Sequence, residues 1–264
     1  MLVTEHERNL SAAERFATFS PAIWASAPID QIRLGLVDGF MFEDTFVDLP
    51  TGRYTITAET TGTFLLGDVA NGNGIADAAG VATAGDGVTV QLDAAGGSSF
   101  TPANNTKIWF EARVRALDIA TGPQFFLGLS ENDITLIDGG ATPANTSANH
   151  IGWESTTDDA ILLFFGEKAG TRNAALSSPH TLVDGDVTTD GTEWVKLGFV
   201  VTDLDATGTA DLLVEHYVDN VKQATTVTNL NVPVLGLKPS LVCQTDATTD
   251  SIVHIDWWRV AQLN

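Results

Sequence analysis

Trp194-Val195-Lys196-Leu197-Gly198-Phe199-Val200-Val201 is followed by a polar turn over 203–209. The chain then runs Leu212-Leu213-Val214-Glu215-His216-Tyr217-Val218, Asp219-Asn220 and Val221-Lys222-Gln223-Ala224. Apolar residues recur at every second position, the period of a half-buried strand. Asp219 and Asn220 both tolerate positive φ, so the spacing predicts an antiparallel meander that closes on a tight hairpin.

The rest of the chain extends this pattern. Short strands are expected over 40–46, 54–58, 61–66, 81–83 and 88–92, with 67–80 and 94–99 as Gly/Ala/Asn/Asp-rich turns. Lys107 to Ala116 places Ile108, Phe110, Ala112 and Val114 on a core face; Lys107, Trp109, Glu111, Arg113 and Arg115 take the other. Further strands are read over 123–130, 150–154, 161–167, 236–245 and 251–262, and 132–149 and 170–179 read as loops. Ile161-Leu162-Leu163-Phe164-Phe165 suits a strand buried on both faces. In the last strand Ile252, His254, Asp256, Trp258 and Val260 oppose Val253, Ile255, Trp257 and Arg259.

Residues 1–36 differ from this body. Ser11-Ala12-Ala13-Glu14 has the form of a capping box, predicting a helix to Thr18 that Ser20-Pro21 stops. A second helical turn is expected over 28–34, ended by Gly35. Phe16, Phe19, Ile23, Trp24, Ile32 and Leu34 make the segment too apolar for a solvated tail, and it is too short to bury them alone. It docks either on its own sandwich or on a neighbouring subunit. The division is therefore an arm over 1–36 and a single β-sandwich over 37–264.

Composition narrows the partners. The 264 residues are 44% hydrophobic and 18% charged, enough for a large core, and the net charge of −21 disfavours nucleic acid and anionic membranes. Cys243 is the only cysteine, so no intrachain disulfide forms, and its apolar neighbours make it a buried thiol. No signal-like or membrane-spanning run is read, which predicts synthesis in a reducing cytoplasm and leaves the sequons at Asn104 and Asn145 without meaning. Gly-x-Ser-x-Gly, a phosphate-binding loop and His-Glu-x-x-His are all missing. His216 and His254 alternate with apolar positions and read as sandwich histidines.

Trp194-Val195-Lys196-Leu197 followed by Tyr217-Val218-Asp219-Asn220-Val221 resembles a pattern of concanavalin A-like, or laminin G-like, jelly-roll domains, with Asn220 where glycine is usual. Val253-His254-Ile255-Asp256-Trp257-Trp258-Arg259-Val260-Ala261-Gln262 is similar to the closing strand of laminarinase-type glycoside hydrolases. The resemblance implies an all-β antiparallel sandwich. Its catalytic Glu-x-Asp-x-x-Glu strand has no counterpart, Glu131-Asn132-Asp133 being the nearest approach, so no enzyme and no catalytic residue is expected. It also implies a candidate structural calcium at Glu43, Asp44 and Asp256, against a reading in which these carboxylates are solvated or paired with Arg259.

Ser20-Pro21-Ala22-Ile23-Trp24 and Gly39-Phe40-Met41-Phe42-Glu43-Asp44-Thr45-Phe46 are similar to the start of tailed-bacteriophage proteins that decorate or cement the capsid. That resemblance implies a virion protein bound to the major capsid protein. Phe16, Phe19, Ile23, Trp24, Ile32 and Leu34 would be its contacts, and self-association as a homotrimer is expected. The competing expectation is a lectin-like module that binds glycan through Trp109, Glu111 and Arg113, a face resembling the concave surface where such domains hold ligands.

Overall fold

The computed structural model describes residues 19–67, 74–83, 85–92, 99–102, 105–117, 124–132, 149–155, 161–172, 180–183, 194–203, 212–223, 227–228, 232–245 and 250–264. The helix expected up to Thr18, with Phe16, lies outside them, as do most of 132–149 and the sequon at Asn104.

Among the described residues two short helices come first, α1 (Pro21–Trp24) and α2 (Ile29–Arg33). Pro21 begins a helix rather than only ending one, because its fixed φ suits the first helical position and its missing N–H is not needed there. α2 ends where expected, with Gly35 at φ +66.

Seventeen strands follow among the described residues: β1 (Gly39–Asp44), β2 (Tyr54–Glu59), β3 (Thr63–Leu66), β4 (Ala76–Gly80), β5 (Gly87–Leu92), β6 (Lys107–Leu117), β7 (Gln124–Ser130), β8 (His150–Ser155), β9 (Ile161–Lys168), β10 (Thr171–Arg172), β11 (His180–Thr181), β12 (Val195–Asp203), β13 (Leu212–Val218), β14 (Val221–Lys222), β15 (Val227–Thr228), β16 (Lys238–Gln244) and β17 (Ser251–Leu263). They form two antiparallel sheets. A nine-stranded sheet runs β14-β13-β12-β6-β17-β4-β3, with β1 also on β17 and β15 on β13. An eight-stranded sheet runs β10-β9-β8-β7-β16-β5-β2, with β11 on β9.

The meander forms as read. Val218 pairs with Val221 across Asp219 and Asn220, whose φ values of 46° and 65° are those of a primed hairpin turn. Between the sheets, Ile108, Phe110, Leu197 and Phe199 from one side meet Phe125, Leu127, Trp153 and Phe164 from the other, all fully buried. Phe110 and Phe199 stack at 4.9 Å, and Phe164 lies 5.4 Å from Phe199.

Five local expectations are corrected. Ala76–Gly80 is a strand rather than a turn, and Val81–Thr83 is not one. β4 sits between β3 and β17, where an added Cβ at Gly80 would lie 2.6 Å from Thr245 Oγ1, so the small residues answer to tight packing. Thr171–Arg172 pairs with the end of β9 inside the stretch read as loop. β9 itself buries Leu162, Phe164 and Phe165 but leaves Ile161 and Leu163 only partly buried. In β17 the register with β6 shifts between Ile255 and Trp257, a bulge at Asp256 that swaps faces. Val253, Ile255, Trp258 and Val260 therefore point inward, and Trp257, Arg259 and Ala261 point out.

Candidate functional site

The residues nominated from sequence lie on the outer face of the nine-stranded sheet, and the arm covers them. Trp109, Val200, Tyr217 and Ala261 form an apolar strip there, and Ile23, Trp24 and Ile32 pack on it. Ile23 fits because residue 198 is glycine: a Cβ there would be 2.5 Å from Ile23 Cδ1. Trp24 Nε1 donates to Glu111 Oε2 at 2.7 Å and the Ser20 amide to the same oxygen at 3.4 Å. Trp109 Nε1 donates to Ser26 Oγ at 3.2 Å, and the Ala22 amide to Asn220 Oδ1 at 2.7 Å.

Trp109 and Glu111 are thus fully buried and not an open sugar platform. Burial pushes the Glu111 carboxyl up, against Ser20, Trp24 and the nearby Arg259 guanidinium, which pull it down. Arg113 stays on the rim, donating to Asp256 at 2.6 Å and lying 4.7 Å from the Trp194 ring centroid. Of the six arm residues nominated as subunit contacts, Ile23, Trp24 and Ile32 are buried on their own sandwich. Phe19 lies edge-on to Trp24 at 5.5 Å and beneath Arg259 at 4.2 Å. Leu34 is 72% exposed, and Leu36 beside it 70%.

The calcium set is not brought together. Glu43 holds Arg259 at 2.7 Å and Arg33 at 2.8 Å, the pairing with Arg259 that sequence offered as the alternative. Asp44 accepts from Arg53 at 2.9 Å and from Tyr54 Oη, and Asp256 holds Arg113. Each carboxylate already has a guanidinium, so the donors do not fit a divalent cation. Among the described residues no group of three or more acidic, His or Cys side chains could hold a metal.

A second polar cluster lies on the outer face of the eight-stranded sheet. Its floor is β7 and β8, where Gly128 and Gly152 face each other. A Cβ on Gly152 would lie 2.8 Å from Phe126 Cε2, so the paired glycines make room for the Phe126 ring. Around that ring the alternation of β8 brings His150 and Glu154 to the same face. The His150 ring centroid lies 5.3 Å from that of Phe126. His150 Nε2 is 2.9 Å from Glu154 Oε1, close enough for an ion pair but not aligned as a hydrogen bond.

Arg172, presented by the β9–β10 hairpin, lies 4.4 Å over Phe165, donates to Glu154 Oε2, and reaches Glu167 at 3.3 Å. The floor is buried, whereas the Arg172 and Glu167 side chains are 25% and 15% exposed and form the rim. Gln124, two positions from Phe126 on β7, accepts from Gln244 Nε2 at 3.2 Å while its own Nε2 has no partner. Gln91 Nε2 reaches Ser130 and Ser240 Oγ at 2.9 and 3.0 Å. Sequence reasoning missed this face. Its signal is His150-x-Gly152-x-Glu154, polar residues at a strand period in an otherwise apolar run.

No family model matches the chain, and no curated protein sequence does. Solved structures do. Peanut lectin with a bound nonapeptide is 15% identical over 86% of this chain and 98% of that one, with a TM-score of 0.52. The carbohydrate recognition domain of Emp47p is 11% identical over 85% and 94%, TM-score 0.53. A protein of unknown function from Shewanella oneidensis MR-1 is 11% identical over 90% and 94%, TM-score 0.54. These likenesses establish the fold, a concanavalin A-like jelly roll.

Proposed function

We propose that this chain is a carbohydrate-binding module whose sugar lies on the outer face of the eight-stranded sheet, against the partly exposed Arg172 and Glu167 that rim the buried Glu154, His150 and Gln124. The observation that carries this reading is a charged rim, Arg172 between Glu154 and Glu167, over a buried polar floor in which Gln124 Nε2 has no hydrogen-bond partner. An unmet buried group costs roughly 1–3 kcal/mol. A sugar hydroxyl both donates and accepts, so neighbouring hydroxyls of one ring could accept from Arg172 and donate to Glu167. The fold is one on which peanut lectin and the Emp47p carbohydrate recognition domain are built, which supports the assignment by analogy alone.

Binding is not followed by hydrolysis in this reading. Glycoside cleavage needs one carboxyl kept protonated beside another, whereas Glu154 and Glu167 share the guanidinium of Arg172. The test is a glycan array followed by calorimetry on the full chain. Arg172→Ala should weaken the best ligand more than tenfold while leaving circular dichroism unchanged. Silence across a broad array, or undiminished binding by R172A, overturns the assignment.

A second reading, a virion decoration protein bound to the major capsid protein, is favoured by Leu34 and Leu36, the arm's water-facing leucines. In that case Leu34→Asp with Leu36→Asp abolishes co-sedimentation with capsid shells, and retained co-sedimentation rejects it.

A further inference from the structure

The track along the nine-stranded sheet fits one segment of this chain's own sequence. The notch at Gly198 takes Ile23, Glu111 takes the Trp24 indole, and Asn220 takes the Ala22 amide. These contacts specify the arm chemically without specifying which copy supplies it. An identical element exchanged between protomers makes the same bonds in either arrangement.

The connector decides between the two arrangements. Residues 34–38 join α2 to β1, and when extended they reach roughly 17 Å at about 3.4 Å per residue. They close α2 by a turn in which Gly35 N donates to Ile32 O and Leu36 N to Gln31 O, with Gly35 at φ +66. Such a turn commonly rests its last residue on an apolar partner five positions back. Here that partner is Gln31, and Leu36 stays 70% exposed beside Leu34 at 72%. The closed chain therefore leaves two leucines in water at the one place where the arm could swing out.

We infer that the arm is exchanged between two copies, each arm seated on the other's nine-stranded sheet, with the connectors side by side and Leu34 and Leu36 buried between them. The groove contacts are common to both forms. What favours exchange is the leucine contact. What opposes it is the high effective concentration of a tethered arm and the repulsion of two bodies each carrying −21. Exchange accordingly rises with protein concentration and with salt, which screens that repulsion.

Crosslinking of two single variants of the full chain, Ala22→Cys and Asn220→Cys, tests this. The Ala22 amide lies 2.7 Å from Asn220 Oδ1, so these two positions are neighbours wherever the arm is seated, and the double variant A22C/N220C shows whether their thiols join. Cys243 is buried and its thiol pushed up to about 12, which keeps it out of the reaction. The two chains are co-refolded, oxidised with glutathione disulfide and separated without reductant. A covalent heterodimer, stronger at 0.5 M than at 0.05 M sodium chloride and reduced at least tenfold by Leu34→Asp with Leu36→Asp, is the expected result. No heterodimer from the mixture, with the double variant A22C/N220C closing within one chain, overturns the exchange. So does light scattering that reads the 27.9 kDa chain mass at every concentration.

Discussion

Truncating Trp24 to alanine should release the arm, and the size of the effect has a ceiling. The indole is 4% exposed, packs on the strip around Trp109 and donates to Glu111 at 2.7 Å. Removing a buried tryptophan costs about 3–5 kcal/mol. Losing the indole donor leaves the Glu111 carboxylate with only the long Ser20 bond, a further ~1–3 kcal/mol. That total of about 4–8 kcal/mol is as large as the burial of Ile23, Trp24 and Ile32 together, at roughly 1.5–3 kcal/mol each. The docked state cannot absorb it, so the arm leaves the sheet and the measured loss stops at the arm's own docking free energy.

Urea unfolding should therefore place Trp24→Ala within about 0.5 kcal/mol of a chain starting at Asp38, the scatter expected when two changes remove the same interaction. Limited proteolysis should cut the variant between residues 19 and 37. Continued protection of that segment at near-wild-type stability would refute the anchoring argument. The same acid sets a pH dependence. The docked pKa of Glu111 is raised, so docking is strongest below the usual carboxylate range and weakens as pH rises through the docked value. Arg259 and Lys196, which face it, limit that rise. Glu111→Gln should flatten the dependence of arm protection on pH.

Two further predictions concern the body. Asp86 is buried and accepts from the Thr61 amide and hydroxyl and the Val81 amide at 2.6–2.8 Å, bonds that override burial and lower its pKa. Asp86→Ala should cost about 3 kcal/mol by chemical denaturation. The contribution of Asp86 should be present above the ordinary carboxylate pKa and lost as pH falls through the depressed folded value; an unchanged acid limb in the variant would contradict it. His216 stacks on Phe164 at 5.0 Å with both ring nitrogens unpartnered, and burial, with Lys222 adding to it, brings its pKa down to about 4. His216→Phe should gain ~1–2 kcal/mol, and thermal melts should show a smaller loss of stability between pH 6.5 and 4. A destabilised variant would mean that the imidazole makes bonds that matter.

The meander was legible because alternation over 195–222 and two residues tolerant of positive φ state the strands and the turn locally. β4 was not, since Ala76-Asp77-Ala78-Ala79-Gly80 lacks any residue that favours strands and is held by neighbours distant in sequence. The bulge at Asp256 was invisible for a related reason: the alternation of β17 reads smoothly straight through the register shift. At the candidate sites the error was one of cover. Trp109 and Glu111 were placed on the right face of β6, yet nothing local tells that residues 19–37 lie over them. The strand that carries His150 and Glu154 was legible, but Arg172, which joins Glu154 to Glu167, comes from a stretch without a strand pattern.

β17 bonds β6 along one edge and both β4 and β1 along the other. Seen as an order of synthesis, the strand that joins these three is the last of the seventeen to leave the ribosome. Until residues 251–263 emerge, β1, β4 and β6 each present an open edge, and the most distant of the three was made more than 200 residues earlier. Pairings of such separation close slowly. During that interval the growing chain offers neighbouring chains the unpaired strand edges that aggregation exploits. A strong negative charge helps to hold such chains apart, so the −21 carried by this sequence bears on how the protein reaches its fold as well as on its partners afterwards.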